Sequence, residues 1–420
     1  MTPEFPLGTI QPKGFMLKEV VFPFKRVSEF SKLQYGKSLV AAKRNPGNIP
    51  MYGTNGRCGW HDQALHDGPG VILGRKGQGH LGVKWCDGPF WVIDTAYIAE
   101  IDENTVDLKW FYYITKFVGL DHIKTGEKPG LNRDTFGAQV FPFPDKDEQE
   151  SIGNILGVLD EKIKLNQQMN HTLEAMAQAI FKSWFVDFDP VTAKAEGRQP
   201  YGMNAGTAAM FPSHFVESEL GPIPQGWEVS SIADLARYVN GKNFTKNATG
   251  TGRMVIRIAE LNSGAGASTV YNEIEAHEDN TAYPADLLFS WSGSLDVYRW
   301  HQDEALVNQH IFKVIPHRFP QWFVYFQLRE AISFFQGIAA DKATTMGHIK
   351  REHLSQSKLA LPIPELIAAM DGVVNPIYQR IHQNERESIT LSNIRDALLP
   401  KLLSGVIRVK GAEKQAEAVA

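Results

Sequence analysis

Two long segments of the chain carry apolar residues at alternating intervals of three and four positions, the pattern of helices that pair along a seam. The first runs from Ile152 to Trp184 and the second from Met370 to Leu402. Equivalent positions lie 218 residues apart, which matches Asn166 with Asn384. A shared polar seam residue fixes register, and this predicts that the two helices pair. The predicted seam is Ile152, Leu156, Leu159, Ile163, Asn166, Leu173, Ile180, Ile377, Ile381, Asn384, Leu391 and Leu398.

A second interpretation of these segments is that each helix packs only on its own domain. Arg395 stands at a seam position and is the weakest point of the pairing hypothesis.

Short apolar runs separated by Gly, Asn and Pro precede each long helix and predict strands. An aromatic-rich run in each half predicts one helix packed on the sheet, at 110–118 and 322–335. The segment 77–82 fits the glycine pattern of dinucleotide sites, but an apparent strand follows it, and this predicts a hairpin instead. The predicted strands are 70–73, 83–85, 90–93 and 97–101 in the first half and 255–258, 286–289 and 310–315 in the second.

The two halves of the chain resemble each other in sequence beyond the helices. An apolar triplet entering a glycine-containing turn occurs at 71–77 and again at 287–293. The predicted fold is therefore α+β: two tandem α+β domains separated by two long helices that form an antiparallel coiled coil, with a pseudo-two-fold internal repeat. The predicted segments are a first domain (1–145), a long helix (146–190), a linker (191–225), a second domain (226–362), a distal long helix (363–405) and a flexible tail (406–420).

The composition is that of a folded protein, with 43% hydrophobic and 11% aromatic residues. The net charge of −4 excludes a strong basic field over the whole chain, so a nucleic-acid site would have to be local. Two cysteines are too few for a disulfide scaffold. No signal peptide or membrane-spanning run is apparent, and we expect a soluble cytoplasmic protein without membrane contact.

Two groups of residues resemble enzyme or metal motifs. Asp145, Asp160 and Lys162 have the composition of a metal-dependent nuclease core. The last two lie on the predicted long helix, where they are more simply its solvated face. Zinc could be bound by Cys58, His61, His80 and Cys86, but their spacing has no counterpart in the second half. We expect no catalytic and no metal site, and a stand-alone nuclease is kept as an alternative.

Lysines and arginines in turn-like sequence are the candidates for DNA contact, because their donors reach phosphates and guanine edges. The stretches 124–131 and 341–349, at equivalent places in the repeat, are the preferred candidates for groove entry. The candidate residues are Lys37, Arg57, Arg75, Lys76, Lys124, Lys128, Arg133, Lys242, Arg253, Lys342, Lys350 and Arg351.

Three motifs resemble the specificity subunits of Type I restriction-modification systems. The most specific is the helical sequence at 159–170, which continues to Phe-Lys-Ser-Trp-Phe-Val-Asp-Phe-Asp-Pro at 181–190. The others are Leu-Gly-Pro-Ile-Pro-Gln-Gly-Trp-Glu-Val at 220–229 and Leu-Leu-Pro-Lys-Leu-Leu-Ser-Gly at 398–405. The resemblance implies a non-catalytic subunit whose two target recognition domains each read one half of a bipartite site in double-stranded DNA.

The same resemblance implies partner proteins. Two adenine-N6 methyltransferase subunits and motor-nuclease restriction subunits would assemble on the chain, and S-adenosylmethionine, ATP and Mg²⁺ would belong to them, with no cofactor in this chain. Lys182, Trp184, Phe185 and Phe188 would lie in the partner-docking region, although Trp184 and Phe185 could instead close the helix pair. A structural adaptor that does not read DNA is the remaining alternative.

Overall fold

The computed structural model describes residues 5, 8–77, 79–125, 130–341 and 348–409. The chain forms two compact units. Unit 1 comprises Met1–Ile163 and Thr390–Ala420 as far as they are described, and unit 2 is the continuous segment Lys164–Ile389. Within the described ranges, every helix is too short or too polar to cross a lipid bilayer.

Unit 1 is an α+β domain. Its strands are β1 (Phe24–Arg26), β2 (Ser31–Tyr35), β3 (Ile49–Gly53), β4 (Gly56–His61), β5 (Gly70–Gly74), β6 (Val83–Cys86), β7 (Trp91–Val92), β8 (Ala96–Ile101), β9 (Lys124–Thr125), β10 (Gly130–Leu131) and β11 (Val140–Pro142). Its helices are α1 (Leu108–Val118), α2 (Arg133–Gly137) and the first part of α3 (Lys146–Phe185). Single 3-10 turns lie at Leu17–Glu19, Val27–Glu29, Ala41–Lys43 and Asp121–Ile123.

Unit 2 is also an α+β domain. Its strands are β12 (Phe215–Ser218), β13 (Gly221–Pro224), β14 (Glu228–Ser231), β15 (Ala236–Asn240), β16 (Arg253–Ile256), β17 (Tyr271–Asn272), β18 (Thr281–Ala282), β19 (Leu287–Ser290), β20 (Asp296–Arg299), β21 (Ala305–Val307), β22 (Ile311–Pro316) and β23 (Lys358–Leu361). Its helices are α4 (Asp189–Ala195), α5 (Ala205–Met210), α6 (Ile232–Leu235), α7 (Ile258–Ser263), α8 (Gln321–Asp341), α9 (Arg351–Gln356) and most of α10 (Pro364–Ser404), with a 3-10 turn at Glu278–Asn280.

The predicted internal repeat is confirmed by sheet topology. The antiparallel sheet β2-β8-β5-β6 of unit 1 has the order of β15-β22-β19-β20 in unit 2. The parallel pair β3 and β7 corresponds to β16 and β21, and the antiparallel pair β1 and β11 corresponds to β14 and β23. Each unit therefore contains the same fold, and the 77–82 segment connects two antiparallel strands, β5 and β6, as predicted.

The local sequence explains where these elements begin. The carboxylate of Asp107 accepts the backbone N–H of Trp110 and caps α1, whose Trp110, Phe111 and Ile114 are fully buried against the sheet. The strand predicted at 255–258 ends earlier, because a capping box between Arg257 and Glu260 starts α7 at Ile258.

The long helices pair through a buried polar layer in unit 2. Asn384 Nδ2 donates to Asn170 Oδ1 at 2.8 Å, and Asn170 Nδ2 donates to Glu385 Oε1 at 2.8 Å. Asn166, earlier in α3, reaches Glu387 later in α10, so the two stretches run antiparallel. Asn166 and Asn384 are fully buried. The pairing of α3 with α10 as a coiled coil is confirmed.

Seam residues near the start of α3 have a second role. Ile152 and Leu156 are fully buried in the core of unit 1, together with Trp110 of α1 and Leu402 of α10. The start of α3 therefore packs on its own domain, whereas the turns around Asn166 pair with α10. Each of the two interpretations of the long helices holds for a different part of α3.

Arg395 occupies its seam position as an ion pair. Its guanidinium donates to Asp160 Oδ1 at 2.6 Å, and the hydroxyl of Tyr113 donates to Asp160 Oδ2 at 2.8 Å. The carboxylate neutralises the arginine where an apolar residue was expected.

Two of the predicted segments need correction. The segment 191–225 is not a bare linker, since it carries α5 and a hairpin and buries Val191, Phe211 and Ile223 in the core of unit 2. Residues 406–409 are not a free tail: Val409 is buried in unit 1, and its N–H donates to Glu148. The physical reason is that both segments carry apolar side chains, which are buried in the core of unit 2 or of unit 1. The rest of the predicted tail lies outside the described residues.

Candidate nucleic-acid interface

Four of the basic residues predicted in the first domain, Lys37, Arg75, Lys76 and Arg133, lie near one end of its main sheet. There the end of β7, the turn after it and the start of β8 accept hydrogen bonds from three backbone N–H groups. The N–H of Lys37 donates to Val92 O at 2.8 Å and that of Gly36 to Ala96 O at 3.1 Å. The N–H of Arg75 donates to Thr95 O at 2.9 Å. We call the residues at this junction the turn face of unit 1; they are Tyr35, Lys37, Arg75, Lys76 and Arg133.

A tyrosine lies between two guanidinium groups at the centre of this face. Arg75 Cζ is 4.5 Å and Arg133 Cζ 4.6 Å from the ring centroid of Tyr35, which is 49% exposed. Arg75 also donates to Asp94 O at 2.8 Å. Arg133 is exposed and has no ion pair with another described residue. Stacking therefore orients the Arg133 guanidinium while its donors stay available to a phosphate or a guanine edge.

Burial raises the pKa of Tyr97, which lies below this stack, and the neighbouring Tyr35 raises it further. The Tyr97 hydroxyl stays neutral and donates to Leu131 O at 3.2 Å. It thereby connects β8 to the strand that leads to Arg133.

The equivalent junction in unit 2 uses the same backbone bonds with different side chains. Lys242 N–H donates to Val307 O at 3.0 Å, and Trp291 N–H donates to His310 O at 3.2 Å. Ile349 bonds to Trp291 O as Leu131 bonds to Arg75 O. The turn face of unit 2 consists of Asn240, Lys242, Trp291, Ser292 and Arg351, and it is less basic than its counterpart.

Arg351, the repeat equivalent of Arg133, is used differently. Its Nη2 donates to Tyr238 O at 2.7 Å and its guanidinium lies 5.7 Å from the ring of Phe312. Unit 2 therefore has the half-buried indole of Trp291 and the exposed imidazole of His310 where unit 1 has two arginines and a tyrosine.

The other predicted DNA candidates separate into two groups. Arg57 is exposed and stacks on Trp60 at 4.6 Å, on the edge strand β4. In contrast, three cations form ion pairs within the chain: Lys124 with Asp121, Arg253 with Glu304, and Lys350 with Glu352. Lys128, Lys342 and most of the stretches 124–131 and 341–349 lie outside the described residues.

The partner-docking candidates are mostly interior. Trp184 and Phe185 are 5% and 3% exposed and pack in the core of unit 2, where their rings contact Phe211 and Trp227 respectively. Phe188 is half-buried against the same core. Lys182 binds Asp187, and the hydrogen bonds with this carboxylate raise the pKa of the lysine.

The nuclease hypothesis is not supported by the positions of its residues. Asp145 caps α3 by accepting the N–H of Glu148, and Asp160 is engaged by Tyr113 and Arg395. The two carboxylates are 15 positions apart along the helix, about 22 Å at 1.5 Å per residue, too far to share a metal. Among the described residues no group of three or more His, Cys, Asp or Glu side chains could hold a metal ion.

Sequence reasoning missed Tyr35, Trp60 and Trp291. The available signal was the repeated Gly-Lys pair at 36–37 and 241–242, which marks the same junction in both halves. The residue before each pair, Tyr35 or Asn240, ends an equivalent strand.

Two copies of one α+β domain, each with a turn face at the end of its sheet, together with two long paired helices, define a tandem-domain protein. A family model described as the Type I restriction modification DNA specificity domain matches residues 20–175 and 224–386. The chain belongs to this family.

Comparison with individual proteins gives the same family. The chain is 27% identical over 333 residues to the Type I restriction enzyme HindI specificity subunit of Haemophilus influenzae, covering 68% of this chain and 72% of that protein. It is 25% identical to the MjaIX specificity subunit of Methanocaldococcus jannaschii, covering 74% and 71%. A crystal structure of a Type I restriction-modification S subunit from M. genitalium superposes with a TM-score of 0.60 at 16% identity, over 94% of this chain and 99% of that one. The last likeness supports the fold.

Proposed function

We propose that this protein is the DNA sequence-specificity subunit of a Type I restriction-modification complex. Its first domain (1–145) reads one half of a bipartite target and its second domain (226–362) reads the other. The observation that carries the proposal is that the specificity-domain family matches twice, and that each matched segment contains one turn face.

The side chains on the two turn faces suit this division of labour. Stacked guanidinium groups in unit 1 can donate to guanine O6 and N7 or to phosphates, whereas in unit 2 the half-buried indole of Trp291 offers only apolar contact and the exposed imidazole of His310 offers a single donor or acceptor. Two half-sites of different sequence require such different readers.

The chemistry belongs to partner proteins under this proposal. The chain is non-catalytic and scaffolds two adenine-N6 methyltransferase subunits and motor-nuclease subunits in the cytoplasm. S-adenosylmethionine, ATP and Mg²⁺ act in those partners. A constant spacing of half-sites is part of the proposal, and the continuity of α3, whose 40 residues extend about 60 Å, is consistent with it.

The direct test is to co-express the chain with its methyltransferase subunit and to map N6-methyladenine across the host genome. We expect a bipartite motif with a constant gap, of which one half changes when residues 226–362 are exchanged for those of a relative. Methylation that is independent of this chain would contradict the proposal and favour a structural adaptor.

Arg133 gives a sharper test. Arg133→Ala removes the stacked fork, and we expect a loss of about 1–3 kcal/mol of discrimination at one base pair of one half-site. Arg133→Lys keeps the charge but not the fork and should also relax that position. Arg198→Ala, at an exposed arginine paired with Glu196, is the control. An unchanged methylation motif in both Arg133 variants would remove this residue from the readers.

A further inference from the structure

A Gly-Lys pair occupies the same place in both units. In unit 1 it is Gly36 and Lys37, and in unit 2 it is Gly241 and Lys242. The glycine N–H donates to Ala96 O at 3.1 Å in unit 1 and to Ile311 O at 2.9 Å in unit 2. The following lysine N–H donates to Val92 O and Val307 O, at 2.8 and 3.0 Å. The two lysine backbones are therefore held in the same way.

Only glycine fits the first position of each pair. A Cβ added at Gly36 would lie 2.2 Å from Ile93 O, and one at Gly241 would lie 2.1 Å from Asn308 O. Both obstacles are backbone atoms, which cannot yield as a flexible side chain would. The close approach fixes the start of each lysine side chain at the end of the sheet.

Both lysines keep their charge available. Lys37 and Lys242 are exposed, and neither forms an ion pair with a carboxylate in the described part of the chain. Lys37 Nζ lies 5.9 Å from the ring centroid of Trp91. Other candidates, such as Lys124, are neutralised internally.

The neighbours of these lysines differ between the units. Arg75 and Thr95 in unit 1 correspond to Trp291 and His310 in unit 2, because the same backbone bond joins each pair. Two domains that read different sequences must differ where they contact bases. They can be identical where they contact phosphates, which are the same in every sequence.

We propose that Lys37 and Lys242 are equivalent DNA-phosphate contacts, one in each half-site, which position the domains while the differing neighbours read bases. The inference rests on the proposed function and adds a role to each lysine. An exposed ammonium on a rigid backbone suits this contact because a phosphate needs a point charge and no planar fork.

The test uses the full chain assembled with its methyltransferase subunits. Lys37→Ala, Lys242→Ala and the double variant are compared for binding to a duplex with the mapped target and to a scrambled duplex, over a range of NaCl concentrations. We expect each single variant to weaken both duplexes by the same factor and to lower the slope of log affinity against log salt by about 1, and the double variant by about 2. The methylation motif stays unchanged, and Lys37→Arg retains the wild-type slope.

Lys18→Ala and Lys358→Ala, at exposed lysines outside the turn faces, are the controls. Wild-type affinity and slope in the double variant, with target selectivity intact, would overturn the inference and leave the proposed function standing. A changed motif in either single variant would also overturn it, because that lysine would then read a base. A wild-type assembly that does not distinguish the two duplexes would instead refute the proposed function.

Discussion

The buried asparagine layer between α3 and α10 allows a quantitative prediction. Asn384→Ala removes the donor that bonds Asn170 Oδ1 at 2.8 Å. Because Asn170 is 7% exposed, its oxygen is left without that partner in a buried place, at a cost of about 1–3 kcal/mol. Alanine returns about half a kcal/mol through its higher helix propensity. The expected net loss of unfolding free energy is therefore about 0.5–2.5 kcal/mol.

Hydrogen exchange of the amides in α3 and α10 measures this loss locally, without assuming that the whole chain unfolds in one step. Gln383→Ala is the matched control, because it removes an exposed carboxamide next to the layer and should change stability by less than about 0.5 kcal/mol. In a background of Asn170→Ala, the cost of Asn384→Ala should shrink, since no orphaned oxygen remains. The reasoning is refuted if the amides of α3 and α10 are protected from exchange as strongly in Asn384→Ala as in Gln383→Ala.

Two further predictions concern charged and titrating groups. Arg395→Met should destabilise unit 1 by about 1–2 kcal/mol in thermal unfolding because it leaves Asp160 half-buried without its cation, whereas Asp396→Asn, at a carboxylate 63% exposed, should change it by less than about 0.5 kcal/mol. Burial, with the nearby Arg299, His382 and Arg386, lowers the pKa of His301 to about 3. The unfolded chain then binds more protons below pH 6.5, and stability falls as the pH drops from about 6.5 towards 3, by about 2 kcal/mol between pH 7 and pH 5. His301→Asn should remove that part of the slope in urea unfolding at the two pH values, and an equal slope in both proteins would contradict the assignment.

Features that repeat along the chain were predictable from the sequence. The seam, the matched Asn166 and Asn384, and the α+β character of both halves all follow from periodicity and internal similarity. Arg395 broke the periodic pattern, and its explanation needed Asp160, more than 200 positions away, together with Tyr113 of α1.

The candidate DNA-contact surface was only partly predictable, for a physical reason. Composition and turn propensity identify lysines and arginines, but they do not show which of these side chains form ion pairs within the protein, as Arg253 does with Glu304. The stack of Arg75, Tyr35 and Arg133 joins three distant segments through the sheet order. For Trp184 and Phe185 the sequence motif suggested a surface that binds partners. Both side chains are large and apolar, and they are buried in the core of unit 2.

The construction of unit 1 from both ends of the chain affects how the protein is made. Leu402, Leu403 and Val409 are buried in the same core as Phe22 and Trp110, which are synthesised at least 292 positions earlier. Unit 2 is continuous in sequence and can close as soon as Ile389 has emerged from the ribosome. We therefore expect unit 1 to complete its core after unit 2 does, and to expose apolar surface to chaperones or neighbouring chains until then.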